Sequence, residues 1–239
     1  MSTRQQATVD TNVGWFNENE HYIKTQAHLE CYRHIKKIVE RELRGVGDLL
    51  DVGNGGFFNY DTALVGHATA VDLFLRDGPG PTSNSTFRKG SFLELPFVDT
   101  SFDCVLQQNV FHHVTGATVR ENHANLRQCM AQMFRCLRPG GKAVVIESTV
   151  GPLFYLFECV AYRPALFVKR RGHPVTFQFT PRQIVRAAEA CGFAVEEFTY
   201  VPRGWFLLQF GYRWPSLLTP AKPIKLVLRR PGPALAAAA

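Results

Sequence analysis

Leu49-Leu50-Asp51-Val52-Gly53-Asn54-Gly55-Gly56-Phe57-Phe58 is the stretch that decides how this chain is read. A short apolar run ends in an acid and a glycine-rich turn, as where a buried parallel strand gives way to a ligand-contacting loop. Glycine, lacking a Cβ, accepts positive φ and lets backbone N–H groups come close to a bound molecule. A second apolar run, Ala68-Thr69-Ala70-Val71, ends in Asp72, 21 residues after Asp51. An acid at that spacing stands at the end of the neighbouring strand and can accept from both hydroxyls of a ribose. Loop and acid together point to a nucleoside-bearing cofactor. A dinucleotide fingerprint would need glycine at position 58, where Phe58 stands. The one Tyr-x-x-x-Lys spacing, Tyr32 to Lys36, precedes the loop, and there is no Gly-Lys-Ser/Thr phosphate cradle. The pattern therefore favours a ligand with ribose and no phosphates.

Outward from this stretch, the chain has the size and content for one sizeable core: 239 residues, 46% of them apolar. Met1 to Thr11 carries no apolar leader segment, and no apolar run is long enough to span a bilayer, so a cytoplasmic, soluble protein is expected. Six cysteines lie scattered without a Cys-x-x-Cys pair, which predicts reduced core thiols and no metal site. The net charge of +7 permits anionic partners without requiring them.

Residues 1–46 read as an N-terminal helical lid, with Ile35, Ile38, Val39 and Leu43 at helical spacing and Trp15, Phe16 and Tyr22 as candidate cover for a cofactor. Residues 47–230 read as the main domain. Strands are expected at 49–52, 68–74, 86–89, 102–106 and 142–147, with helices opening at 60–65 and running over 122–137 to the turn Pro139-Gly140-Gly141. Such alternation predicts a doubly wound, mostly parallel α/β sheet. Between 148 and 180 the pattern breaks into aromatic and basic residues, an expected substrate-side insertion. Thr180-Pro181 then caps a helix ending at Gly192. Residues 193–200 and 205–212 read as a closing antiparallel hairpin, and 231–239 as a disordered tail.

Six segments recur in the order of one family: Asp51-Val-Gly-Asn-Gly-Gly, Asp72, Gly90-Ser-Phe-Leu-Glu-Leu-Pro-Phe, Ser101-Phe-Asp-Cys-Val, Val110-Phe-His-His-Val and Leu137-Arg-Pro-Gly-Gly-Lys. On these the chain resembles the class I S-adenosylmethionine-dependent methyltransferases of the small-molecule type. The resemblance implies a Rossmann-like seven-stranded sheet, helices on both faces, with the last strand antiparallel. It implies S-adenosylmethionine as cofactor and S-adenosylhomocysteine as product. Asp51, Gly53, Asn54 and Gly55 would line the methionine portion, with Asp72 and the following Leu73 at the ribose. Ser91 and Phe92 would flank the adenine, Phe92 stacking on it, and Gln107 and Gln108 would pass beside the sulfonium. Two positions depart from the family: Phe57 replaces the usual third glycine, and Ser91 replaces the acid that commonly meets the adenine amine.

For the transfer itself, the resemblance makes His113 the first candidate base and His112 the second, with Tyr22 as a lid partner. The bland alternative is that either histidine caps a helix or packs on Phe111. Glu147 is expected to bind substrate or to accept backbone hydrogen bonds. Tyr155 and Arg170, in the insertion, are expected at the acceptor, although a dimer interface or a solvated basic face would account for them equally. The expected acceptor is a small, partly apolar molecule, with O-methylation favoured, and the expected protein is a monomer or homodimer. Two rival readings stand beside it. One is a nucleic-acid methyltransferase, against which Gln108-Asn109-Val110-Phe111 lacks the Asn/Asp-Pro-Pro-aromatic motif. The other is a methyltransferase-like scaffold without catalysis, supported by Phe57 and Ser91.

Overall fold

The computed structural model describes residues 12, 14, 30–73, 82–169, 174–201 and 221–232. Helix α1 spans Glu30–Leu43, then β1 (Val46–Val52) and β2 (Val65–Asp72), β3 (Ser85–Lys89) and β4 (Phe102–Gln108) follow. Next come α2 (Val119–Cys136), β5 (Leu137–Val150), α3 (Pro152–Lys169), α4 (Pro181–Ala190), β6 (Ala194–Tyr200) and β7 (Ala221–Arg229). The seven strands form one sheet in the order β3-β2-β1-β4-β5-β7-β6. β7 alone runs against its neighbours β5 and β6, while the β1, β2, β3, β4 and β5 pairings are parallel. The order reverses direction at β1 and β4, which places a crevice at their carboxyl ends.

Period-two alternation builds a core on each face. Along β5, Ala143 and Val145 join the cluster under α2 and α4, while Val144 and Ile146 join the cluster under α1. Helix α1 buries Ile35, Val39 and Leu43, a four-residue repeat that puts one stripe on the sheet. Within residues 1–46, helix α1 therefore packs on the sheet, and Trp15, Phe16 and Tyr22 lie outside the described residues. Helix α4 begins as expected: Thr180 and Gln183 form a reciprocal capping box, Pro181 opens the helix, and Gly192 follows its end at φ 95°. Cys104, Cys129, Cys136, Cys159 and Cys191 are free, and the first three are buried, as core thiols should be.

Three local expectations are corrected. The helix expected from Tyr60 is a single 3-10 turn, Thr62–Leu64, because the Asn59 and Tyr60 side chains are tied back to Gln108 and Asp51 and Val65 already pairs with Val46. Pro139-Gly140-Gly141 does not separate helix from strand; β5 runs through it as an irregularity, with Leu137 opposite Phe102 and Lys142 opposite Cys104. The second hairpin segment, 205–212, lies outside the described residues, and the strand that pairs with β6 is Ala221–Arg229. Its Pro223 and Lys225 disguise it as a surface segment. Lys225 is in fact 1% exposed, its ammonium held by Glu42 of α1 and Glu197 of β6.

Candidate active site

The glycine turn and Asp72 do meet. Gly53 N–H donates to the Val71 carbonyl at 2.8 Å, and Gly55 N–H donates to Asp72 Oδ2 at 2.8 Å, so the turn after β1 lies against the end of β2. Gly53 is required twice over: its φ is 73°, and a Cβ there would stand 2.3 Å from Val110 Cγ2. Gly56 adds a further positive φ, of 86°, where the family pattern has its third glycine one residue later.

Asp51 closes the floor of this turn and is 2% exposed. Its Oδ2 accepts from Asn54 Nδ2 at 2.7 Å and from the Tyr60 hydroxyl at 2.9 Å. Burial pushes its carboxyl up to about 7, with the Asp72 charge adding to the rise and the two hydrogen bonds opposing it.

At the end of β4 the side chains part to the two faces. Gln108 exchanges two amide hydrogen bonds with Asn59, at 2.9 and 3.1 Å. Gln107 turns to the other face and donates to Glu147 Oε2 at 2.9 Å. Glu147 collects three more donors: Phe111 N–H at 2.8 Å, His112 Nδ1 at 2.6 Å and Ser148 N–H at 2.9 Å. The expectation that Glu147 binds substrate is therefore corrected, because it is 0% exposed and each oxygen already accepts twice. It acts as the anchor that shapes the loop after β4 and fixes the His112 ring. His113 is half-buried, and its ring lies 4.1 Å from that of His112.

Phe92 is corrected as well. Its ring is 6% exposed and lies nearly parallel to Phe111, with centroids 5.6 Å apart, so it packs in the core. Ser91 is half-buried, its hydroxyl accepting from Leu93 N–H at 3.2 Å, and Leu73 is half-buried beyond Asp72. Tyr155 of α3 meets His123 of α2, hydroxyl to Nε2, at 2.7 Å, and Phe177 packs edge-on against both rings. Phe177 N–H donates to the His112 carbonyl, which brings this aromatic group beside the histidine pair. Burial pushes the Tyr155 hydroxyl up to about 12 and holds His123 below its ordinary value. Tyr22 and Arg170 lie outside the described residues.

Two contributors escaped the sequence. Asn109 adopts φ 56° at the turn out of β4, and its Oδ1 is buried without a partner among the described residues. Asn12 is 7% exposed and fastens three backbone groups: its Nδ2 donates to the carbonyls of His113 and Val175, and its Oδ1 accepts from Val175 N–H at 2.7 Å. No local pattern marks it, since its partners stand 101 and 163 residues away. Asn12→Ala is expected to leave the buried Val175 amide unpaired at a cost of about 1–3 kcal/mol. Hydrogen exchange would register it as lost protection at Val175, and unchanged protection there would contradict the clamp.

Residues 50–145 match the methyltransferase-domain family model. The chain is 31% identical over 184 residues to an uncharacterized methyltransferase of Mycobacterium marinum, covering 66% of this chain and 68% of that one. The chain belongs to the class I S-adenosylmethionine-dependent methyltransferases. A demethylmenaquinone methyltransferase of Roseiflexus castenholzii is 31% identical over 166 residues, 66% of this chain and 59% of its own. The chain thus spans between about a quarter and about two thirds of the length of the curated relatives it matches. Among solved structures, the Burkholderia thailandensis 1,6-didemethyltoxoflavin-N1-methyltransferase shares the fold with a TM-score of 0.63 at 16% identity, over 97% of this chain and 92% of that one.

The residues present fit the methyltransferase cofactor. Asn54 Oδ1, Gln107 Oε1 and Asn109 Oδ1 are buried acceptors without partners among the described residues, and all three stand near the carboxyl ends of β1 and β4 beside Asp51. That edge presents three acceptors with no donor among the described residues assigned to them. An amino-acid ammonium and a sulfonium, both cationic, are what such a lining lacks.

Proposed function

We propose that this methyltransferase transfers a methyl group to a small, partly apolar acceptor, with an oxygen nucleophile favoured. The observation that carries the reading is the set of acceptors at Asp51, Asn54, Gln107 and Asn109, beside a turn whose Gly55 N–H donates to Asp72 Oδ2 at 2.8 Å. When bound, S-adenosylmethionine supplies an activated methyl group, so the chain's own work is placement. Asp72 accepts from the ribose hydroxyls, and Asp51 with its neighbours receives the ammonium end. Glu147 holds His112 through Nδ1, and His112 in turn backs the His113 ring. The proton on the acceptor's hydroxyl oxygen passes to the His113 imidazole. Tyr155 is half-buried on that side, and the buried Phe177 and Phe179 pack the His123 ring behind it.

The test has two stages. Calorimetry with S-adenosylhomocysteine should give a heat of binding, and none would favour the rival reading as a scaffold. Radiolabelled methyl transfer should then be followed over a panel of apolar phenols, with ring-nitrogen acceptors included because the Burkholderia enzyme is named for transfer to N1. His113→Ala should lower kcat by about 10² to 10⁴ on a hydroxyl acceptor while leaving the heat of S-adenosylhomocysteine binding intact. An unchanged kcat would remove His113 from the role of base.

A further inference from the structure

Helix α3 shows the solvent a face that soluble helices ordinarily hide. Leu153, Leu156, Phe157 and Val160 are 83, 60, 66 and 76% exposed. At 100° per residue these four fall within one stripe. The opposite side of the helix carries the packed residues Tyr155, Tyr162 and Leu166. Its single acid, Glu158, accepts from Gln178 N–H on the packed side, whereas Arg163 stands exposed beside the stripe. Charge on the whole layer is one-sided: of the described side chains on α2, α3 and α4, Arg120, Arg127, Arg163, Arg182 and Arg186 are exposed, against Glu189 as the one exposed acid, while Arg135 is paired with Asp99.

We propose that the outer face of α3 seats the protein on the surface of an anionic lipid bilayer. An amphipathic helix lies in the headgroup plane when an apolar stripe is flanked by basic residues, and both are present here. A bilayer surface yields to a protruding helix, so no groove is needed. A second copy fits less well, because a twofold contact would bring two positive layers together with no exposed acid on α3 to pair them. No helix among the described residues is long and apolar enough to cross a membrane, so the contact is interfacial. It does not depend on which acceptor the site methylates.

Co-sedimentation of the full chain with vesicles decides the matter. Vesicles of phosphatidylcholine containing phosphatidylglycerol should carry the protein down, pure phosphatidylcholine much less, and raising salt from about 0.1 to about 0.5 M should release it. The double variant Phe157→Ser, Val160→Ser should lose at least about tenfold in partitioning, and Arg163→Gln about fivefold on anionic vesicles only. Val98→Ser, at an apolar position 77% exposed on another part of the surface, should change nothing. Unchanged thermal unfolding of the variants would show that the fold is intact. Wild-type protein that stays in the supernatant with anionic vesicles overturns the assignment. So does a dimer in light scattering that Phe157→Ser, Val160→Ser dissociates, which would give the stripe to a second copy.

Discussion

Glu147→Ala is expected to be the most damaging single truncation in the described chain, lowering stability by about 3–5 kcal/mol. Four buried donors converge on this carboxylate from β4, from the loop at Phe111 and His112, and from Ser148 beside it. Alanine would leave all four in a water-free site with nothing to accept them. For a chain of this length the loss corresponds to roughly 6 to 20 °C in Tm. Glu147→Gln should fall between, since its amide keeps one acceptor but turns an NH2 group toward donors. Activity should fail in both variants, because the same carboxylate fixes the His112 ring next to His113. Thermal and urea unfolding would check the first part, and a change below about 1 kcal/mol for Glu147→Ala would refute the anchor role.

Asp51→Asn should move stability and binding in opposite directions. In the unfolded chain this carboxyl loses its proton near its ordinary value of 3.8, whereas in the fold burial raises it to about 7. Between those two values the folded state holds a proton that the unfolded state has released, so stability falls as pH rises through this window and stays low above it. A shift of about three units bounds the effect at about 4 kcal/mol at neutral pH and above. Asparagine does not titrate, so the variant should lack this slope and unfold at a higher temperature at pH 8. Binding needs the charge instead. Cofactor affinity of the wild type should be about tenfold weaker at pH 6 than at pH 8, because the carboxylate that receives the ammonium must first lose its proton. In Asp51→Asn the affinity should drop at both values and the pH dependence should vanish. A flat wild-type profile would separate Asp51 from the ammonium end.

Asp51, the glycine turn and Asp72 were legible because each is set by its neighbours in sequence: a strand period, a positive φ and a fixed spacing to the next strand. The Thr180-Pro181 cap was legible for the same reason, since its two partners are three residues apart. Phe92 is expected at the adenine and packs in the core, and of the two expectations for Glu147, substrate or backbone hydrogen bonds, the structure shows the second. An aromatic or an acid at a strand end has the same appearance in sequence whether it faces a ligand or the core. Phe111 and four converging donors decide between the two, and they come from three separate segments. Strand β7 was missed because proline and lysine argue for solvent until Glu42 and Glu197, 183 and 28 residues distant, are seen to hold Lys225.

The sequence by itself therefore determined the parallel strands, the glycine turn with an acid on either side of it and the family the chain belongs to, because those depend on local periodicity and backbone stereochemistry. Tertiary structure alone decided that Glu147 is an anchor, that Asn12 clamps the loop at His113, and that α3 carries its apolar stripe outward. Each of these depends on which distant group takes up a hydrogen bond or covers a side chain, and burial of that kind is settled only when the whole sheet and its helices have assembled.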